Sequence, residues 1–204
     1  MADVRDHWTN VYTAKAETDV SWYRPHSERS LAYIAATAAP ADPVIDVGGG
    51  ASTLVDDLLA RGFADVTVLD VAETALAKSK ARLGREAAKV SWIAADITTW
   101  RPPRRYRVWH DRAVFHFLTG DCEQAAYIVA LEAGTAPAAT VVMATFALDG
   151  PEKCSGLPVQ RYSPQTLAAR LGPRFTLIDS RQESHHTPWN AEQKFSYAVL
   201  RRTD

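Results

Sequence analysis

Asp46 stands two residues before Gly48-Gly49-Gly50, where an apolar stretch, Val44-Ile45-Asp46-Val47, gives way to a helical one. Glycines between a strand and a helix let the backbone approach a ligand closely. A dinucleotide fingerprint requires G-x-G-x-x-G, but its last position here is Thr53. Asp46 also counts against a dinucleotide, because a carboxylate at that point repels a pyrophosphate and favours a cationic group such as an ammonium. The competing reading is an ordinary strand–turn–helix junction in which glycine serves only the turn. Asp70 follows about 20 residues later, at the end of the next apolar run, where an acid accepts from both hydroxyls of a ribose. Asp96-Ile97 closes the third run, offering a carboxylate for an adenine amino group and an apolar side chain for its ring. Any one of these acids reads equally well as a helix cap or loop residue. Three of them, each ending a successive strand, are hard to explain as three caps.

The elements that must position these acids can be read from the pattern of apolar residues. Strands are expected at Val44–Val47, Val66–Asp70, Val90–Ala94, Tyr106–His110, Thr140–Phe146, Phe175–Ser180 and Phe195–Arg201. Helices are expected at Ser27–Ala39 with Ser27 as cap, from Ser52 or Thr53 through Leu59, at Ala72–Leu83 closed by Gly84, at Asp121–Ala133 with Gly134 just past its end, and from Ser163-Pro164 to Gly172. Strands that alternate with helices predict an α/β fold: a doubly wound, mostly parallel sheet with helices on both faces. Such sheets bind ligands at the carboxyl ends of their strands. The 204 residues suit one domain, 1–204, with an N-terminal lid over 1–43 and a binding core over 44–204.

The glycine-loop acid together with Asp70, Asp96 and Asp111 resembles the successive motifs of the class I S-adenosylmethionine-dependent methyltransferases over Val44 to Leu118. The chain has Ser52 where that family often has Gly, and Gly49 where it often has Cys. S-adenosyl-L-methionine carries an ammonium and a sulfonium and no phosphate, which suits Asp46; its product is S-adenosyl-L-homocysteine. The resemblance implies seven strands with the last antiparallel. It also implies a cofactor set of Asp46, Gly48, Gly49, Gly50, Ser52, Asp70, Val71, Asp96, Ile97 and Asp111. Within that set Asp46 lies near the methionine end, Asp70 on the ribose and Asp96 at the adenine, while Asp111 either caps the following segment or contacts the methionine moiety.

On the acceptor side, methyl transfer asks the protein to align the acceptor, exclude water and, where needed, remove a proton. His116 follows the fourth strand and is read either as a general base or as a histidine that only opens the next segment. His185-His186 and Trp189 lie between the sixth and seventh strands, read as acceptor contact, as exposed loop or, if other ligands join the pair, as a metal site, with His186 a second candidate base. Trp8, Tyr12, Trp22, Tyr23 and Arg24 form an aromatic N-terminal segment, read as a lid over the acceptor or as packing for the first helix. Arg24 and Arg161 either hold an anionic acceptor or form surface ion pairs. The opening is similar both to a group of protein-lysine methyltransferases and to small-molecule thiol and halide methyltransferases. A small-molecule acceptor is the main expectation, a protein-lysine substrate the second, and a SAM-binding protein without catalysis the third.

Lys and Arg total 23 against 24 Asp and Glu, a balance that lacks the basic footprint of a nucleic-acid binder. The run Asp111-Arg112-Ala113-Val114 also lacks the Asn/Asp-Pro-Pro-aromatic signature of base amino-methylating enzymes. Two distant cysteines make neither a disulfide framework nor a metal site, and no metal is expected. The polar opening is not a signal peptide and no apolar run reaches the ~20 residues that span a bilayer, so no membrane partner and a cytoplasmic location are expected.

Overall fold

The computed structural model describes residues 4–203; of the polar opening Met1 to Trp8, residues 1–3 lie outside the described residues. The elements run α1 (Val4–Ala14), α2 (Glu28–Thr37), β1 (Val44–Val47), α3 (Leu54–Ala60), β2 (Val66–Asp70), α4 (Glu73–Leu83), β3 (Val90–Ala94) and β4 (Tyr106–Arg112). They continue with α5 (Asp121–Gly134), β5 (Thr135–Phe146), β6 (Lys153–Cys154), β7 (Leu157–Pro158), α6 (Pro164–Leu171), β8 (Phe175–His186) and β9 (Glu192–Arg202).

Seven strands form one sheet in the order β3-β2-β1-β4-β5-β9-β8. β1 through β5 pair in parallel, and β9, the last strand, runs antiparallel to both β5 and β8. Alternate side chains of each strand feed opposite faces. Val44, Val66, Val68 and Val108 pack with Leu31 and Ile34 of α2, Leu54 and Leu58 of α3 and Leu76 of α4. On the other face Ile45, Val47, Trp109, Val141 and Met143 pack with Tyr127 and Leu131 of α5 and Leu167 and Leu171 of α6. The chain winds outward from β1 to β3 and then crosses to β4. The crevice at the carboxyl ends of β1 and β4 is therefore the topological switch point, where such sheets take ligands.

The strand and helix core agrees with the sequence expectation, and the departures have local causes. Ser163 caps α6 as expected, its hydroxyl accepting from Thr166 N at 3.1 Å. Ser27 makes no side-chain cap; its backbone N–H instead donates to Asp57 at 3.0 Å. Gly134 is the last residue of α5 rather than the one beyond it. β5 starts five residues before Thr140, with a register shift opposite Tyr106/Val108. β8 runs on to His186 and β9 starts at Glu192, so the expected loop between them is a long hairpin. β8 is the edge strand and mostly exposed, so the polar run Glu183–His186 lacks the apolar alternation by which strands are recognised.

Leu54 is fully buried between α3 and the sheet. Leu54→Ala is expected to lower the unfolding free energy by about 2–5 kcal/mol, read from urea melts.

Candidate active site

The turn after β1 is shaped for close approach. Gly48 and Gly50 take φ of 70° and 27°, in the left-handed region, and Gly48 N donates to Leu69 O at 2.6 Å. A Cβ at Gly50 would lie 2.5 Å from the Asp70 carboxylate, and one at Gly48 2.0 Å from Val114. The turn is also held from outside. The Arg82 guanidinium donates to Ser52 O at 2.8 Å and pairs with Asp56 at 2.8 Å, and Ser79 Oγ donates to Gly50 O at 2.7 Å. Ser52 Oγ accepts from Leu54 N at 3.2 Å, opening α3.

The acids expected at the strand ends occupy different environments. Asp46 is 3 % exposed; its Oδ1 lies 2.6 Å from His110 Nδ1, and His110 Nε2 lies 2.8 Å from Ser30 Oγ. Asp70 is buried and accepts from Ala72 N at 2.8 Å. Burial, assisted by the charge of Asp46, pushes its carboxyl up to about 7 against the opposing pull of backbone N–H groups. Asp96 Oδ1 accepts from the backbone and hydroxyl of Thr98, at 2.8 and 2.7 Å. Asp111 departs from the expected cofactor set. It is fully buried, accepts from Val114 N and Phe115 N at 2.9 and 3.1 Å and from the Tyr127 hydroxyl at 2.6 Å, and lines neither cavity. It is the cap, because both its oxygens are turned inward.

Two adjoining cavities lie along the crevice. The larger spans about 800 Å³, part of it open solvent, and Asp70, Val71, Asp96 and Ile97 line it together with Gly48. The smaller, about 560 Å³, is lined by Asp46, Gly48, Gly49, Ser52, Tyr23 and Arg24. Tyr12, Trp22, Gly48 and Arg112 border both. Trp8 of α1 lines the larger and meets Trp22 and Phe117 edge-on, at centroid distances of 5.6 and 5.1 Å. The aromatic N-terminal residues Trp8, Tyr12, Trp22 and Tyr23 thus reach the crevice.

The expected acceptor residues from the other loops do not. His116 is fully buried behind Phe117 and Phe146, its Nδ1 3.4 Å from Phe146 N, and it lines neither cavity. Burial first, then the Arg112 charge, pushes it down to about 3, which removes it as a base near neutral pH. His186 is exposed, because neighbours on a strand point to opposite faces and His185 takes the inner one. His185 lies outside both linings as well. It accepts from Arg24 Nε at 3.0 Å and donates from Nε2 to Ser21 O at 2.6 Å, and so positions Arg24; burial, then Arg112, pushes it down to about 4. Trp189 is 59 % exposed at the hairpin tip. Arg161 is held on its own loop by Gly150 O and Glu152, both at 3.1 Å. Arg24 pairs with Glu183 at 2.5 Å.

The sequence reading passed over Arg112, His110 and Arg82. Arg112 directly follows Asp111 at the end of β4, so its place at the switch point was open to inference from its neighbour. The partners of His110 and Arg82 come from distant segments and leave no local signal. Among the described residues no helix is long and apolar enough to cross a membrane.

A family model described as a methyltransferase domain matches residues 44–132. The chain is similar to a solved Burkholderia thailandensis 1,6-didemethyltoxoflavin-N1-methyltransferase with bound S-adenosylhomocysteine, at 20 % identity and TM-score 0.70 over 98 % of this chain and 84 % of that one. It is also similar to the N-methyltransferase NodS of Bradyrhizobium japonicum WM9 in complex with S-adenosyl-L-homocysteine, at 17 % identity and TM-score 0.75 over 98 % of this chain and all of the other. A curated relative, the eEF1A lysine and N-terminal methyltransferase of Mus musculus, is 23 % identical over 120 residues. That match takes in 58 % of this chain and only 17 % of the mouse protein's length.

The pH response of Asp70 follows from its raised pKa. Between about 4 and 7 the folded chain keeps a proton that the unfolded chain has lost, so the Asp70 contribution to stability falls as pH rises through that window. Asp70→Asn is expected to gain more stability over the parent at pH 8 than at pH 4 in paired urea melts; a difference independent of pH would refute the assignment. For His116 and His185, imidazole NMR signals are expected not to titrate between pH 6 and 8.

Proposed function

We propose, for a chain that belongs to the class I methyltransferase fold, that it transfers the methyl group of S-adenosylmethionine to a small-molecule acceptor and releases S-adenosylhomocysteine. One observation carries this reading: Asp46, Asp70 and Asp96, at the ends of three adjacent parallel strands, border one continuous crevice around a glycine turn that has no room for side chains. The donor set suits the cofactor. Asp46 Oδ2, the oxygen toward Gly49, would take the α-ammonium while His110 occupies Oδ1. Asp70, buried and without a cation partner among the described residues, would accept from the ribose hydroxyls, with Val71 beside it. Asp96 would take the adenine amino group, and Ile97 the ring face. When bound, the cofactor supplies a methyl on a positively charged sulfur, which leaves as the neutral thioether.

The chain's own contribution is orientation and exclusion of water. Trp8 and Trp22 line the larger cavity and would offer aromatic faces to a cation. His116 and His185 lie outside both cavities and both ring nitrogens of His110 are engaged, by Asp46 and Ser30, so the acceptor would arrive already deprotonated or lose its proton to solvent. A protein-lysine acceptor is the second reading, favoured by the mouse relative's named activity.

Calorimetry with S-adenosylhomocysteine tests cofactor binding. The parent is expected to bind, and Asp46→Ala and Asp70→Ala each to weaken binding by about tenfold or more. Binding of NAD in its place, or unchanged affinity in folded variants, would overturn the reading. Transfer of labelled methyl to a panel of small acceptors, and to a protein extract, separates the two acceptor readings and excludes a non-catalytic binder.

A further inference from the structure

Arg112 is the one cation that borders both cavities without a carboxylate partner among the described residues. Glu183 pairs with Arg24 at 2.5 Å and faces Arg29 at 3.7 Å, Asp46 Oδ1 is held by His110, and among the described residues neither Asp70 nor Asp96 forms an ion pair with Arg112. The Arg112 guanidinium stacks 4.3 Å over the Phe195 ring, and Nη1 donates to Trp22 O at 3.4 Å. Nε and Nη2 are shielded from solvent and have no hydrogen-bond partner among the described residues. Those two nitrogens form the side edge of the guanidinium, the edge whose parallel N–H groups match the two oxygens of a carboxylate. Buried donors and an unpaired charge are costly to leave unmet.

The position of the group selects which ligand it serves. The acids proposed to hold the cofactor end β1, β2 and β3, on one side of the switch point. Arg112 ends β4 and stacks on Phe195 of β9, so it leans toward the opposite half of the sheet. Around it Trp8, Trp22 and Phe117 give apolar, flat walls. His116 and His185, both pushed down by burial and then by the Arg112 charge, stay neutral and add no further positive charge.

We infer that Arg112 anchors the acceptor, and that the acceptor is a small planar molecule carrying a carboxylate or similar anionic oxygen group. The inference rests on the methyltransferase reading above and narrows it. At the β4 end of the crevice the Arg112 guanidinium has no carboxylate partner among the described residues, and an anionic acceptor offsets that local positive charge. The ammonium of a lysine side chain would instead meet the Arg112 guanidinium as a like charge, in surroundings where like charges repel more strongly than in water.

The test uses the parent protein saturated with S-adenosylhomocysteine and three probes that differ in charge: benzoate, benzamide and benzylamine. Binding is followed by quenching of tryptophan fluorescence. Benzoate is expected to bind about tenfold or more tighter than benzamide, and benzylamine weakest. Equal binding of the three, or none by benzoate, overturns the inference. Arg112→Met is expected to abolish the preference for benzoate, and Arg112→Lys to keep part of it, while affinity for S-adenosylhomocysteine stays within about twofold. A tenfold or greater loss of S-adenosylhomocysteine affinity in Arg112→Met, with the benzoate preference intact, would assign the guanidinium to the cofactor's own carboxylate and overturn the inference. Failure of the parent to bind S-adenosylhomocysteine would strike the methyltransferase reading itself, a result separable from any probe preference.

Discussion

Asp46 is a carboxylate held at 3 % exposure on the central strand of a sheet, where an uncompensated charge would be strongly unfavourable. His110, its neighbour in register on β4, meets it at 2.6 Å, and Ser30 of α2 holds the far side of the imidazole at 2.8 Å. That chain of contacts fixes one carboxylate oxygen and leaves the other facing Gly49, where any Cβ would come within 2.4 Å of it. The glycine turn, the pairing of β1 with β4 and the docking of α2 are all constrained by this one buried acid. Loss of His110 would leave a buried charge without its partner, an arrangement far more costly than the intact pair.

From this fixed point the site divides by charge. Toward β2 and β3 the strand ends carry acids, Asp70 buried and Asp96 half-buried, suited to hydroxyl and amino donors. Toward β5 and β9 the Arg112 guanidinium stacks on Phe195 among aromatic rings. The crevice therefore carries carboxylates at the ends of β1 to β3 and a guanidinium at the end of β4. Residues of the N-terminal segment border both, Tyr12 and Trp22 lining each cavity.

The core strands and the acids at their ends were legible because the signals are short-range: an apolar run, then an acid, then glycine or a helix start. α1 left a weaker trace, since Tyr12 is its only buried residue and its apolar stripe is thin. The extension of β8 was hidden by its place at the sheet edge, where solvent on one side removes the alternation that marks a strand. The role of His116 depends on Phe146 and Phe117 closing around it, which no spacing encodes. Asp111 shows the same limit. Its position at the end of β4 suggested a ligand contact as well as a cap, and the donors Val114, Phe115 and Tyr127 decide for the cap.

The central claim is that Asp46 and the glycine turn form the amino-acid end of an S-adenosylmethionine site whose nucleoside end lies at Asp70 and Asp96. A crystal structure of the complex with S-adenosylhomocysteine tests it most directly. The account predicts the ligand amino group within hydrogen-bond distance of Asp46 Oδ2, the ribose hydroxyls on Asp70 and the adenine between Asp96 and Ile97, with His110 still bonded to Asp46 Oδ1. Density for the ligand elsewhere, or in this crevice with its ends reversed, would contradict it.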